Sequence, residues 1–293
     1  MTSWVWMKGT DVAISDPAID PVVPEDKREK VKDLIGQYSD KIEKVKEGLA
    51  DDPLYDPSKH DDLWILRFVM SHKKAKPSLK AAKHTLEFRK QHNLDDEDIR
   101  DKYPHKLTSG NVYEYWKERC NGDAIICVHP DPKRGVLMFL TFGHFNTDAA
   151  NTLSDEVWDE AFIYTSEFVH QWLDYTTRTT GLMTKSVRFI DLRGATFKHF
   201  DRKSTQRDGK IMGQMEDCYP QLLQTIFACY PPTFMHWIWS VVRPIMPKRI
   251  IDKVDMIEPS KNDKERDRLL EHITLETLPV DFGGLNTVPP KDW

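Results

Sequence analysis

Between residues 26 and 50, Val31, Leu34, Ile35, Tyr38, Ile42, Val45 and Leu49 recur at helical spacing, with Lys and Glu between them. One apolar stripe of that kind predicts an amphipathic helix packed against other helices. The segment LWILRFVMSH, from Leu63, is apolar on nearly every side and predicts a buried helix with Asp61 or Asp62 at its N-cap. Lys76-Pro77-Ser78 then opens a further helix with Leu79, Ala82 and Leu86 on one face. Three helices in succession predict a small all-helical unit over 26–105, ending near Tyr103-Pro104. Residues 1–25 mix Pro and Asp and read as an irregular arm, with Trp4 and Trp6 as its docking side chains.

The pattern changes over 106–293. AIICVH and VLMFLTF read as strands separated by the turn-rich PDPKRG. TLSDEVWDEAFIYTSEFVHQWLDY carries a capping-box pattern at Thr152 and Asp155, followed by Val157, Ala161, Tyr164, Phe168, Trp172 and Tyr175 on one helical face. SVRFIDLRG reads as a strand ending at Gly194, the polar KSTQRDGKIMGQMEDCYP as helical, and TIFACYP as a short strand stopped by a Pro pair. Strands alternating with helical crossovers predict an α/β domain with a parallel or mixed sheet.

A chain of 293 residues has room for a large domain plus a small one. Mean hydropathy of −0.59 and 30% charged residues describe a soluble globular protein. The net charge of −5 argues against nucleic acid as the main partner, so any phosphate binding is local. Cys120, Cys127, Cys218 and Cys229 show no CxxC spacing and read as reduced core thiols, without a zinc or redox motif. The N-terminus lacks a basic lead and an apolar core, so a cytoplasmic location is the expectation. GxGxxG, GxxxxGK[ST], GxSxG, HExxH and EF-hand patterns are absent from the sequence, and no catalytic or metal chemistry is written locally.

YPPTFMHWIWSVVRPIMPKRI, Tyr230 to Ile250, is broken by four prolines and Arg243, so its apolar run falls far short of the ~20 residues a membrane crossing needs. After Pro232 a helix would place Phe234, Trp237, Ile238 and Val241 on one stripe and Met235, Trp239 and Val242 on another. A helix apolar on most faces is either buried or moves between a protein cavity and a membrane.

The order VRFIDLRG, then EDCYPQLLQTIFACYPPTFMHWIWSVVRPIMPKRIIDKVDMIE, then LPVDFGG resembles the CRAL-TRIO lipid-binding family, and LWILRFVMSHKKAKPSLKAAKHTLEFRK resembles that family's N-terminal helical domain. The likeness runs over roughly residues 60 to 285. It implies a helical unit followed by a sheet that floors a hydrophobic cavity, closed by a mobile gate helix at about Pro232 to Met246. Phe189, Phe234, Trp237, Ile238, Val241 and Val242 then line the cavity and gate. His72, Lys73 and Lys253 stand at the family's phosphatidylinositol headgroup positions, Gln221 where the family has an acid, and Ile250 where it has a hydroxyl. Ser186 and Arg188 stand at its choline-lipid positions, and Asp131 matches a headgroup-side Asp.

The resemblance implies a non-enzymatic, monomeric carrier without cofactor. Its ligand would be a phospholipid, exchanged during transient contact with cytosolic membrane faces. One alternative is a lipid-sensing module that presents lipid to a partner enzyme of lipid metabolism through the Asp26 to Ala50 helix, and another is a carrier of a smaller apolar ligand. A third is an enzyme with dispersed catalytic groups such as His170 and Asp191.

Overall fold

The computed structural model describes residues 28–96, 98–99, 116–117, 124–131 and 135–290, with 127–131 and 135 by backbone only. The expected arm with Trp4 and Trp6, the boundary near residue 105, the Cys120 and Cys127 thiols and the Asp131 carboxylate lie outside what is described.

The three expected N-terminal helices are α1 (Val31–Leu49), α2 (Asp62–His72) and α3 (Ala75–Gln91). Leu34, Ile42, Val45 and Leu49 of α1 pack on the buried run from Leu63 to Met70 in α2. Each such aliphatic side chain contributes about 1.5–3 kcal/mol when fully removed from water. Asp61 is the N-cap, accepting from the Trp64 amide. At the other end Lys73, in the left-handed region at φ 63°, closes the helix by donating its amide to Val69.

Among the described residues five strands follow: β1 (Ile125–Asp131), β2 (Gly135–Thr141), β3 (Ser186–Asp191), β4 (Leu223–Cys229) and β5 (Val254–Ile257). They lie side by side in chain order, β1 antiparallel to β2 and every later pair parallel. Each parallel step requires a crossover. The crossovers are α4 (Thr147–Asn151) with α5 (Asp155–Thr180), then α6 (Arg202–Cys218), then α7 (Met235–Val242) with α8 (Lys248–Ile251). After β5 comes α9 (Asp263–Leu270). β5 has no counterpart in the sequence reading, whereas the other four strands do. The capping box expected at Thr152 is displaced: Ser154 caps α5 by accepting from Val157, and the Thr152 hydroxyl donates to the Ala149 carbonyl.

The period of two along the strands sorts the sheet into two buried faces. Leu137, Phe139, Val187, Phe189, Phe227 and Ile257 meet Leu269, Ile273, Leu278 and Phe282 of the C-terminal segment. On the opposite face Val136 and Met138 meet the helical layer, and Ile190, Ile226, Ala228 and Val254 continue the same floor under α7 and α8.

Buried ion pairs bolt the N-terminal helices to α5. Arg67 of α2 donates to Asp174 (3.3 Å), Arg178 donates to Asp174 (2.6 Å), and Arg178 reaches back to Asp61 (2.6 Å). Arg89 of α3 grips Glu167 through both terminal nitrogens (3.0 and 3.2 Å) and Asp95 through Nε (2.5 Å). Mutual pairing is what allows these charges to leave water. Among the described residues no helix is long and apolar enough to cross a membrane.

Candidate functional site

A pocket of about 390 Å³, open to solvent, lies on the helix-covered face of the sheet. Its apolar wall comes from Phe162 of α5, Met212 and Met215 of α6, Leu222 and Leu223 at the start of β4, and Ile250 of α8. Unbranched methionine suits a wall that must accommodate chains of differing shape. Polar groups enter at Ser166, Arg188, Glu216 and Tyr219. Tyr219 donates to Glu167 (3.0 Å), which joins the pocket wall to the Arg89 clamp and hence to α3. Burial, with Glu167 beside it, holds the Tyr219 hydroxyl well above the usual phenol range. Most of that space is open solvent, and the enclosed part has room for little more than a water or two, so a two-chain lipid requires movement of a wall.

Strand alternation explains which expected residues reach this space. Arg188 points into it. Ser186, two residues earlier on β3, is fully buried, and its hydroxyl has no hydrogen-bond partner among the described residues. Phe189, expected to line the cavity, is turned to the opposite face. There it stacks on Phe139 (4.8 Å) and lies against Phe227 and Phe282. An odd step along a strand cannot keep two neighbours on one side.

The expected headgroup residues gather beside the pocket. Lys253, in the turn before β5, pairs with the pocket acid Glu216 (3.4 Å), and its carbonyl accepts from the Ile226 amide (2.9 Å). Arg249 of α8 donates to His72 Nδ1 (3.4 Å). Partial burial and the Arg249 charge lower the His72 pKa, favouring the neutral, accepting ring. Lys73 lies with its ammonium over the Tyr38 ring at 5.9 Å. Lys185, which the sequence reading did not single out, stands directly before β3. Its pKa is lowered, first by burial and then by Lys253, Arg67 and Lys73, against the opposing pull of Glu29. Gln221 turns to α2 instead, donating to Ser71 (2.9 Å) from a left-handed backbone at φ 64°.

α7 is shorter than the expected Pro232 to Met246 and sits farther along the same floor. Met235 and Ile238 are buried against Leu192, Ala195 and Ala228, with Phe234 and Val242 partly buried beside them. Its outer side is exposed at Trp237 (55%) and Val241 (42%). Phe197, 55% exposed on the turn after β3, stacks on Phe234 (4.2 Å) and meets Trp237 edge-on (5.5 Å). Ile190 and Val254 underlie both α7 and the pocket-side cluster, so lifting α7 would lengthen one continuous apolar floor.

The groups suggested for dispersed catalysis are separated by the sheet. Asp191 is held by Arg193 (2.6 Å), whereas His170, its pKa lowered to about 4 chiefly by burial, lies edge-on to Tyr219 (5.5 Å). Cys218 and Cys229 are buried free thiols, Cys218 pushed up to about 12 by burial. Among the described residues no group of His, Cys, Asp and Glu could hold a metal ion.

Comparison with known proteins adds a family. The CRAL/TRIO domain model matches residues 121–284, over half the chain. Over 107 residues, 36% of this chain, the sequence is 23% identical to the phosphatidylinositol/phosphatidylcholine transfer protein SFH7 of Arabidopsis thaliana, of which the match spans only 19%. The fold is similar to the crystal structure of Sfh5, with a TM-score of 0.51 over 78% of this chain and 80% of that one. At 12% identity that likeness is one of fold alone.

Proposed function

The chain belongs to the CRAL/TRIO domain family, and from that premise we propose that it is a carrier which binds a phospholipid and exchanges it between membranes. Acyl chains occupy the Met212–Met215–Leu223–Ile250 pocket and the floor beneath α7, where each methylene kept from water is worth ~0.8 kcal/mol. The headgroup phosphate meets the cations at the mouth, Lys73, Lys185, Arg249 and Lys253. An arginine in the pocket, Arg188, disfavours a choline cation at that depth and favours an anionic headgroup. Ile250 in the wall and Gln221 turned to Ser71 leave an inositol ring fewer polar partners there.

The observation that carries the proposal is the two-sided character of α7: Met235 and Ile238 seal against the sheet while Trp237 and Val241 face water. A helix that only closed a core would not present that outer side, whereas a gate that opens at a membrane needs it. Tryptophan is favoured at the headgroup level. Transfer of labelled phosphatidylinositol between vesicles tests the idea. Trp237→Asp and Val241→Asp are expected to abolish transfer without unfolding the protein; full transfer by both folded variants refutes the gate.

A further inference from the structure

The chain between α7 and α8 is held from both sides. The Ile245 and Met246 amides donate to the Val242 carbonyl (2.9 and 3.1 Å), fastening them to the last turn of α7. The Ile250 and Ile251 amides donate to the Pro247 carbonyl (2.9 and 3.1 Å), fastening Pro247 to α8. Residues 245–247 are therefore a joint shared by the exposed helix and the helix that lends Ile250 to the pocket wall.

That joint rests on α6 at Gly209. A Cβ at Gly209 would lie 2.8 Å from the Ile245 carbonyl oxygen and 3.2 Å from its Cγ2. The first of these is a backbone atom, which cannot swing aside as a side-chain end could. One turn later on the same helix the situation differs: a Cβ at Gly213 would find only Pro247 Cγ, at 3.8 Å, an ordinary contact. Beside this contact Met246 packs in one cluster with Met212 and Ile250. Both of the latter line the pocket, so the height of the joint above α6 sets how closely the wall stands.

We propose that Gly209 is a positioning residue, the seat on α6 of the α7–α8 joint, and that this close contact sets how readily the gate of the carrier reading lifts. The proposal rests on the carrier reading above and deepens it: the moving part reaches to Lys253, beyond the apolar helix. A joint lifted from Gly209 carries Ile250 outward together with Trp237. The closed pocket thereby gains room at its own wall as well as beneath α7.

Amide hydrogen exchange on the full chain, together with transfer of pyrene-labelled phosphatidylinositol between phosphatidylcholine vesicles, tests this. Gly209→Ala is expected to speed amide exchange several-fold across both 235–246 and 248–253, and to speed transfer. Gly213→Ala serves as the matched control and is expected to leave both readouts as in the natural chain. Should Gly209→Ala fail to fold, Ile245→Ala removes the Cγ2 contact without adding an atom and is expected to loosen the same two stretches. Unchanged exchange in the folded variant overturns the proposal, as does loosening confined to 235–246. If the natural chain moves no probe, the carrier reading falls, and the amide pattern alone still decides whether Gly209 seats the joint.

Discussion

Replacing Arg89 by Met removes the cation that clamps Glu167 and leaves that carboxylate, 1% exposed, with Gln171 (3.0 Å) and the Tyr219 hydroxyl (3.0 Å) as its remaining donors among the described residues. Breaking a buried pair from one side costs about 3–5 kcal/mol, a large share of the ~5–15 kcal/mol that holds a typical domain. The sign of the pH dependence should change as well. In the natural chain burial pushes the Glu167 pKa up, but Arg89 and its hydrogen bonds more than offset this, and the net shift is down. A carboxyl lowered on folding stabilises above its unfolded pKa of ~4.3, and that contribution is lost as pH falls. With Arg89 gone, burial dominates and the folded pKa rises. Stability is then greatest at low pH and declines as pH climbs through the new value. Urea unfolding at pH 5 and pH 8 should show a larger deficit for Arg89→Met at pH 8. Adding Glu167→Gln, which keeps an acceptor for Tyr219 but no charge, should recover most of the loss. A deficit below about 1 kcal/mol, or one equal at the two pH values, refutes this account of the clamp.

Asp208 accepts from Trp158 Nε1 (2.9 Å), and burial raises its pKa to about 7. A carboxyl raised on folding costs stability as pH rises through that value, so Asp208→Asn should stabilise by about 4 kcal/mol at pH 8 and hardly at all at pH 4, measured by thermal unfolding. Phe189→Ala should cost about 3–5 kcal/mol in chemical denaturation. The milder Phe189→Leu should leave lipid uptake unchanged because the ring is on the far face; lost uptake in the folded variant would return Phe189 to the cavity. Phe197 and Trp237 each expose 55% of their surface, worth about 2–3 kcal/mol per ring on transfer to a bilayer interface. Phe197→Ser should therefore weaken sedimentation with phosphatidylserine-containing vesicles by tens of fold, and binding equal to that of the natural chain would remove Phe197 from the docking face.

The elements were legible where a local pattern carries enough information by itself. The run from Leu63 to Met70 is apolar all round because every side is covered, Arg67 included once Asp174 arrives from a residue 107 positions away. Ser154 rather than Thr152 caps α5 because a short helix, α4, already uses Thr152 as its own C-cap, a choice that neighbouring hydroxyls do not distinguish in the sequence. Residues 254–257 carry no legible strand signal because four residues between a turn and a Pro are too few for a period to show.

The site was less legible because it is assembled across long separations. Arg89 and Glu167 are 78 residues apart, and nothing local in EFRK or TSEF marks them as partners. Met212 and Met215 sit in IMGQMEDC at a helical step that any amphipathic helix shows; they become a pocket wall only when Leu223 and Ile250 arrive opposite. Lys185 likewise looks like a charge ahead of a strand until the ends of α2 and α8 bring Lys73 and Lys253 within its electrostatic reach. Phe189 is the instructive case, because alternation was available in SVRFID and required Arg188 and Phe189 to face opposite ways. What alternation does not supply is which face is roofed by a tight C-terminal segment and which by helices that leave a space. Both faces are apolar here, Leu137, Phe139 and Phe227 on one and Ile190, Ala228 and Val254 on the other. Composition therefore could not choose between them, and the decision rests with the connections: the crossovers carry α5, α6 and α8 over Arg188, and the chain after β5 returns beneath Phe189.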